Sequence, residues 1–296
     1  MNKEEELSKQ NLENYELYLK RMTESMKYST KGLIPIFAVG SKSVLDVGCG
    51  SGVLLNALLE YDIDHVIGID INGEAVKKIE NLNNDKIEVY KSDIKEFIDK
   101  NISVDAVVYS SVLHEVSSYC ENENLRYTLK PIEDILKDTY DLLPIGGKII
   151  IRDCIMVDHN DLNKKVRITF KDDSESKWLY RFKEEFIGFK GLDVDMTIEK
   201  IDNSYRISYA FLKEFLYTYT WGEGSWNREI NERVGIMDSN TWEKMVSDSG
   251  FRIDKVLYSK EEYEKYLNPK VDIIWDNNEE FVYPYMNILI VAIKNK

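Results

Sequence analysis

Nine residues near the start of the chain, Val44-Leu45-Asp46-Val47-Gly48-Cys49-Gly50-Ser51-Gly52, limit the fold more than any other stretch. A run of apolar and β-branched residues ends in three alternate glycines and opens onto an apolar segment with helical spacing, which predicts strand, tight turn and helix in that order. Glycines at such a turn let the backbone approach a ligand closely. The dinucleotide pattern GxGxxG is not met, because counting from Gly48 puts Val53 in the last place and counting from Gly50 puts Leu55 there. No GK[ST] follows, so the phosphate-cradling loop of nucleotide triphosphatases is also excluded.

The same alternation continues along the chain. Short runs at His65 to Ile69, Ile87 to Tyr90, Asp105 to Tyr109 and Lys148 to Arg152 read as buried strands, and Val53 to Tyr61, Glu74 to Leu82 and Pro131 to Leu143 have helical spacing. Alternating strands and helices predict an α/β, doubly wound and mostly parallel sheet. After Ile155 the rhythm breaks for roughly eighty residues, too many for an ordinary loop. Two helices are expected there, one from a cap at Ser174 with Trp178, Phe182 and Phe186 on one face, the other with Phe211, Phe215 and Tyr219. The sheet pattern resumes with a helix near Asn240 to Ser249 and strands near Ile253 to Tyr258 and Asn287 to Ile293. The expected organisation is an N-terminal helical segment over 1–40, a core over 41–156, an inserted helical cap over 157–237 and the rest of the core over 238–296.

Behind the glycine loop stand acids at strand ends. Asp70 ends the second strand about 20 residues on, where a carboxylate can accept from both hydroxyls of a ribose. Asp93 ends the third, and its carboxylate with the N–H of Ile94 suits an adenine edge; the same Asp93 also suits a helix N-cap. Ser110 to Glu115 follow the fourth strand, in the crevice at the carboxyl ends of the sheet.

Taken in order, DVGCGSG, GIDIN, KSDIKEF, DAVVYSSVLHEV and LLPIGGKIIIRD resemble the five motifs of class I S-adenosylmethionine-dependent methyltransferases, closely over about Ser41 to Asp153. The resemblance implies a seven-stranded sheet and S-adenosyl-L-methionine as cofactor. It places Asp46, Gly48, Cys49 and Gly50 at the methionine part, Asp70 and Ile71 at the ribose, Asp93 and Ile94 at the adenine and Ser110 near the sulfonium. Cys49 also reads as a small side chain packed inertly under the loop.

A sulfonium methyl is already activated, so the protein must chiefly hold the acceptor in line and exclude water. A hydroxyl or ammonium acceptor also needs a base, and His114 is the histidine that follows a site-forming strand. Two readings of it stand side by side, a general base and a packed helix-start residue. Glu115 is expected to turn outward or to pair with a base such as Arg126. The string His114-Glu115-Val116-Ser117-Ser118 lacks the second histidine of HExxH, so no metal is expected. Trp221-Gly222-Glu223-Gly224-Ser225-Trp226 reads as a mobile lip of an acceptor pocket, with the N-terminal helix near Asn11 to Met26 over the same opening.

The Asp and Glu residues number 53 against 39 Lys and Arg, a net charge of -14, which argues against phosphate neutralisation as the main source of affinity. A small or unidentified acceptor is therefore expected, with RNA or protein modification and a non-catalytic cofactor-binding partner as the alternatives. Three scattered cysteines, no apolar signal core and no membrane-length apolar run lead to the expectation of a cytoplasmic protein without a membrane partner.

Overall fold

The apolar runs become strands because their β-branched residues are buried on both faces of a sheet that helices cover. The computed structural model describes residues 12–80, 84–260 and 263–295. Its strands are β1 (Ser43–Val47), β2 (His65–Asp70), β3 (Ile87–Lys91), β4 (Ala106–Ser110), β5 (Lys148–Cys154), β6 (Lys165–Phe170), β7 (Glu199–Ile201), β8 (Ser204–Ser208), β9 (Phe251–Ser259), β10 (Val271–Trp275) and β11 (Asn287–Lys294). Its helices are α1 (Leu12–Tyr28), α2 (Ile34–Ala38), α3 (Val53–Leu59), α4 (Gly73–Glu80), α5 (Ile94–Ile98), α6 (Leu113–Ser118), α7 (Lys130–Leu142), α8 (Lys177–Glu185), α9 (Tyr209–Tyr219), α10 (Trp226–Glu229), α11 (Ser239–Asp248) and α12 (Tyr263–Leu267). Asn11 and Leu82, the expected outer limits of two helices, lie outside the described residues.

The main sheet has seven strands in the order β3-β2-β1-β4-β5-β11-β9. Strand β1 pairs in parallel with β2 on one side and β4 on the other, and β11 runs antiparallel between β5 and β9. The chain therefore switches direction across the sheet between β1 and β4, and the crevice that ligands use in such sheets opens at the carboxyl ends there. Alternation sorts the strand residues. Leu45, Ile67, Tyr109 and Ile151 enter one core with Trp242, while Val44, Val66, Val108 and Ile150 enter another under Leu54 and Leu58 of α3. Among the described residues no helix is long and apolar enough to cross a membrane.

The inserted segment corrects the expectation of a helical cap. Helices α8 and α9 are there, but they pack on a second, antiparallel sheet in the order β10-β6-β8-β7. Strand β10 belongs to it, although it lies in the stretch assigned to the core. The signal was a short alternation: Val166, Ile168 and Phe170 point into the aromatic core of the insert, while Lys165, Arg167 and Thr169 face outward half-buried. Trp226 also departs from the expected lip. It is 1% exposed and packs on Trp178 with ring centroids 4.7 Å apart and the planes inclined by 45°.

Candidate active site

Beyond Val47 the chain turns through Gly48 and Gly50, whose φ angles are 72° and 52°. At Gly48 a side chain is excluded twice, by the left-handed backbone and by Val112, whose Cγ2 would lie 2.6 Å from a Cβ. The N–H groups of Gly48 and Cys49 both donate to the carbonyl of Ile69, at 2.8 and 3.0 Å. Gly50 N–H donates to Asp70 Oδ2 at 2.8 Å and Asn72 N–H to Oδ1 at 2.8 Å. Loop and acid thus form one unit, in which two backbone donors fix the plane of the Asp70 carboxylate. Ile71 follows half-buried. The Cys49 thiol lies under this loop; a Cβ on Gly68 would come 2.8 Å from its Sγ, and burial with the nearby charges of Asp46 and Asp70 pushes its pKa up, away from reactivity.

Strand alternation puts Asp46, Ser110 and Arg152 on one face of the sheet, in the registers Asp46↔Val108 and Ser110↔Arg152. Asp46 is 2% exposed. Burial raises its pKa to about 7, the buried Lys31 ammonium opposing and Asp70 adding to the shift. The hydroxyl of Ser110 is buried without a partner. Buried polar groups left unmatched are uncommon, and the Ser110 hydroxyl on one sheet face with the buried Asp46 carboxyl beside a glycine turn fits a ligand that carries ammonium and hydroxyl groups, as S-adenosylmethionine does. Ser111 follows with a left-handed φ of 60°, held by its N–H donating to the Arg152 carbonyl at 2.7 Å and its hydroxyl accepting from the Arg152 guanidinium.

Asp93 is exposed and caps α5, its Oδ1 accepting from Glu96 N–H at 2.9 Å. Ile94 opens that helix with its side chain in the core and its N–H among the end groups that lack an intrahelical acceptor.

His114 is 6% exposed, and its imidazole is engaged from both sides. Nδ1 meets Asp153 Oδ1 at 2.7 Å, and Nε2 faces Glu232 Oε2 at 3.8 Å. Asp153 also accepts from the N–H groups of Leu113, His114 and Cys154 at 3.0, 3.3 and 2.8 Å. Burial alone would lower the His114 pKa, but the two carboxylates outweigh it and raise it well above the usual value.

Glu115 neither turns outward nor pairs with Arg126, whose Nε donates to the Cys120 carbonyl. It accepts from Arg228 at 2.8 Å, and Arg228 donates to Glu232 at 2.9 Å. Burial would raise the pKa of Glu232, but Arg228 and His114 bring it down to about 2, whereas burial raises Glu115 to about 7 against the pull of Arg228. The Tyr119 hydroxyl donates to Glu232 at 2.9 Å. His114, Glu115 and Glu232 bring one ligand atom each within 4.8 Å of one another, the spacing of a metal site. Arg228 donates to both glutamates of that set, as a cation bound there would be held. These groups escaped the sequence reading because Arg228, Glu229 and Glu232 look like a solvated helix face; the i, i+4 spacing of Arg228 and Glu232 was the available signal.

The insert joins α1 through Arg21, which donates to the Thr220 carbonyl and stacks at 4.3 Å on Trp221 and 4.5 Å on Tyr266.

Residues 44–139 match a family model described as a methyltransferase domain. A curated relative, the tRNA U34 carboxymethyltransferase of Shewanella piezotolerans, is 26% identical over 176 residues, or 55% of this chain and 49% of the relative. The chain thus spans about half the length of that relative. Among solved structures it is similar to an S-adenosylmethionine dependent methyltransferase from Mesorhizobium loti, at 13% identity over 88% of this chain and 97% of the other with a TM-score of 0.48. It is also similar to the N-methyltransferase NodS of Bradyrhizobium japonicum in complex with S-adenosyl-L-homocysteine, at 9% identity over 93% and 87% with a TM-score of 0.47. The sheet order and the methyltransferase domain matched over residues 44–139 give the chain the fold of class I S-adenosylmethionine-dependent methyltransferases.

Proposed function

We propose that the chain as a whole transfers a methyl group from S-adenosylmethionine to a small acceptor, held between the carboxyl edge of the main sheet and the inserted region. The observation that carries this reading is the convergence at one strand-end crevice of the Gly48–Gly50 turn, the backbone-oriented Asp70, the buried Asp46 and the unmatched hydroxyl of Ser110. When bound, the cofactor supplies a methyl group already activated on a sulfonium. Asp70 would accept from the ribose hydroxyls, Asp93 and Ile94 N–H would meet the adenine, and Asp46 with Ser110 would meet the methionine part.

His114 holds its charge between Asp153 and Glu232, so its work is to lock α6 and the turn after α10 against the sheet end rather than to take a proton. Calorimetry with chelator present tests the reading: S-adenosylmethionine and S-adenosylhomocysteine bind, and NAD and ATP do not. Turnover of isotopically labelled cofactor with any acceptor eliminates the non-catalytic alternative.

A tRNA acceptor is the second reading, favoured by what the curated relative acts on. The acidic lining of the crevice opposes it, since phosphates there would meet like charge. Binding to tRNA that weakens steeply with salt would restore it.

A further inference from the structure

Helix α1 is held by the main sheet at its end and by the insert further back along its length. The short turn Thr30–Leu33 that follows it is the sheet-side anchor. Thr30 Oγ1 lies 3.2 Å from Oγ of Ser259, the last residue of β9, at the carboxyl edge of the sheet. Ile34 and Ala38 of α2 then enter the core with Val44 and Val108, on the sheet face that carries Asp46 and Ser110. Lys31, in the turn, is buried within electrostatic range of Asp46, and its Nζ lies 3.3 Å from Met22 Sδ of α1. The helix therefore stands over the turn that flanks the methionine end of the crevice. One residue before Met22, Arg21 reaches the insert: its guanidinium donates to the Thr220 carbonyl and lies over the rings of Trp221 and Tyr266, 4.3 and 4.5 Å from their centroids. From Arg21 to Ser29 the helix rises about 12 Å, or more than two strand spacings, so it bridges sheet edge and insert.

The two sides of this bridge are fastened differently. The insert is tied to the core by buried bonds, such as those from the Tyr217 hydroxyl to the carbonyls of Ile155 and Met286. Helix α1 is tied to the insert by Arg21 and, nearer the surface, by the Tyr266 hydroxyl donating to Glu24 at 2.7 Å. The Arg21 Nε is buried with no hydrogen-bond partner among the described residues. Burial lowers the Arg21 pKa, and the carboxylates of Glu229 and Glu24 do not make up the difference. A desolvated cation held by a neutral carbonyl and two ring faces, with one N–H unmatched, is a fastening that water readily replaces. A pivot stands at the other end. Ser29 is extended, with φ -126° and ψ 174°, and breaks the helix from the turn, its hydroxyl accepting from Lys31 N–H at 3.1 Å and donating to the Ser25 carbonyl at 2.7 Å. The closed position is nonetheless specific: a Cβ on Gly32 would lie 2.1 Å from the Met26 carbonyl oxygen, so the turn folds back this tightly only with glycine there.

Building on the methyltransferase reading, we propose that α1 is a strap closed over the methionine end of the crevice, pivoted at Ser29 and latched by Arg21 between Trp221 and Tyr266, and that S-adenosylmethionine enters and S-adenosylhomocysteine leaves when this latch opens. The insert stays in place while α1 moves. A latch of this kind acts on the barrier between free and bound states. Weakening it speeds entry and exit together and leaves the affinity nearly as it was, whereas losing a residue that touches the ligand speeds exit alone.

The test uses the full chain and S-adenosylhomocysteine, with binding and release followed by stopped-flow tryptophan fluorescence. Arg21→Ala should raise the association and dissociation rate constants by about tenfold or more each, the scale of two lost cation–ring contacts, while Kd moves by less than about threefold. Arg21→Lys, which keeps a cation over the rings, should bring both rates most of the way back. If Arg21→Ala fails to fold, Tyr266→Leu removes one ring and should speed both steps by a smaller factor. Hydrogen exchange of the ligand-free chain reads the motion itself: α1 should exchange ahead of α9, and Arg21→Ala should accelerate α1 and leave α9 unchanged. Unchanged rates in the folded variant, or exchange of α1 and α9 as one unit, would overturn the strap. A faster release with unchanged association would make Arg21 a ligand contact and would overturn it too. A wild-type chain that binds no S-adenosylhomocysteine would sink the methyltransferase reading instead, and the exchange comparison, which needs no ligand, would still decide whether α1 opens by itself.

Discussion

Replacing Asp153 by Asn tests whether the buried His114 pair is an ionic latch. The carboxylate accepts four hydrogen bonds, from His114 Nδ1 and from the N–H groups of Leu113, His114 and Cys154. An amide keeps one oxygen and turns an NH2 toward donors that then have nothing to accept them. Breaking a buried ion pair from one side costs about 3–5 kcal/mol, and part of that is the same loss as the unmade backbone bonds, so about 4 kcal/mol is the expected destabilisation. At about 2 °C per kcal/mol for a chain of this size, the melting temperature should fall by about 8 °C. Urea unfolding followed by circular dichroism reads the first number and calorimetry the second. Histidine NMR reads the cause: in the wild type the His114 ring should stay protonated well past its usual titration range, and in Asp153→Asn that range should move down. Since the folded value is the raised one, the stabilisation is complete below about pH 6.5 and is lost as pH rises through the folded pKa. A loss under about 1 kcal/mol, with wild-type His114 titrating normally, would refute the latch and return His114 to the list of candidate bases.

Asp70→Ala should weaken binding of S-adenosylhomocysteine by about 1.5–3 kcal/mol, measured by calorimetry, because it removes the ribose acceptor and frees the N–H groups of Gly50 and Asn72 that shape the loop. Gly48→Ala should cost about 2 kcal/mol in urea unfolding, and adding Val112→Ala should recover the part due to the clash but not the part due to the positive φ. The carboxyls of Glu115 and Glu229, raised from 4.5 to about 7 and about 8, hold protons in the folded chain that the unfolded chain releases. That stabilisation is complete below about pH 4.5 and fades as pH rises through 7 to 8, so the urea midpoint should fall between pH 5.5 and 8.5, and Glu229→Gln should flatten the slope.

What the sequence made legible was whatever is built from neighbours along the chain. The run Val44 to Gly52 carries its strand, turn and helix in consecutive residues, and Asp70 lies one crossover away at a distance set by the fold unit. The acidic wall is different in kind. Glu115 meets Arg228 and His114 meets Glu232 across more than a hundred residues, and no local pattern distinguishes such a pair from solvated surface charge. The second sheet was half-visible: the alternation in β6 is a regular strand signal, but β10, which completes the pairing, enters from beyond α12, so no contiguous stretch displays the sheet.

The way the insert is fastened decides what kind of pocket it can make. Tyr217 donates its hydroxyl to the carbonyls of Ile155 and Met286 at 3.0 and 2.8 Å. Met156 N–H donates to the Met237 carbonyl at 2.7 Å, continuing the edge of β5 into the insert. These bonds are buried, so swinging the insert away as a lid would leave several donors and acceptors unmatched at about 1–3 kcal/mol each. The insert is therefore a wall and not a gate. A site with a fixed wall selects its acceptor by what the wall already presents, and here that is the ion-paired set of His114, Glu115, Arg228 and Glu232.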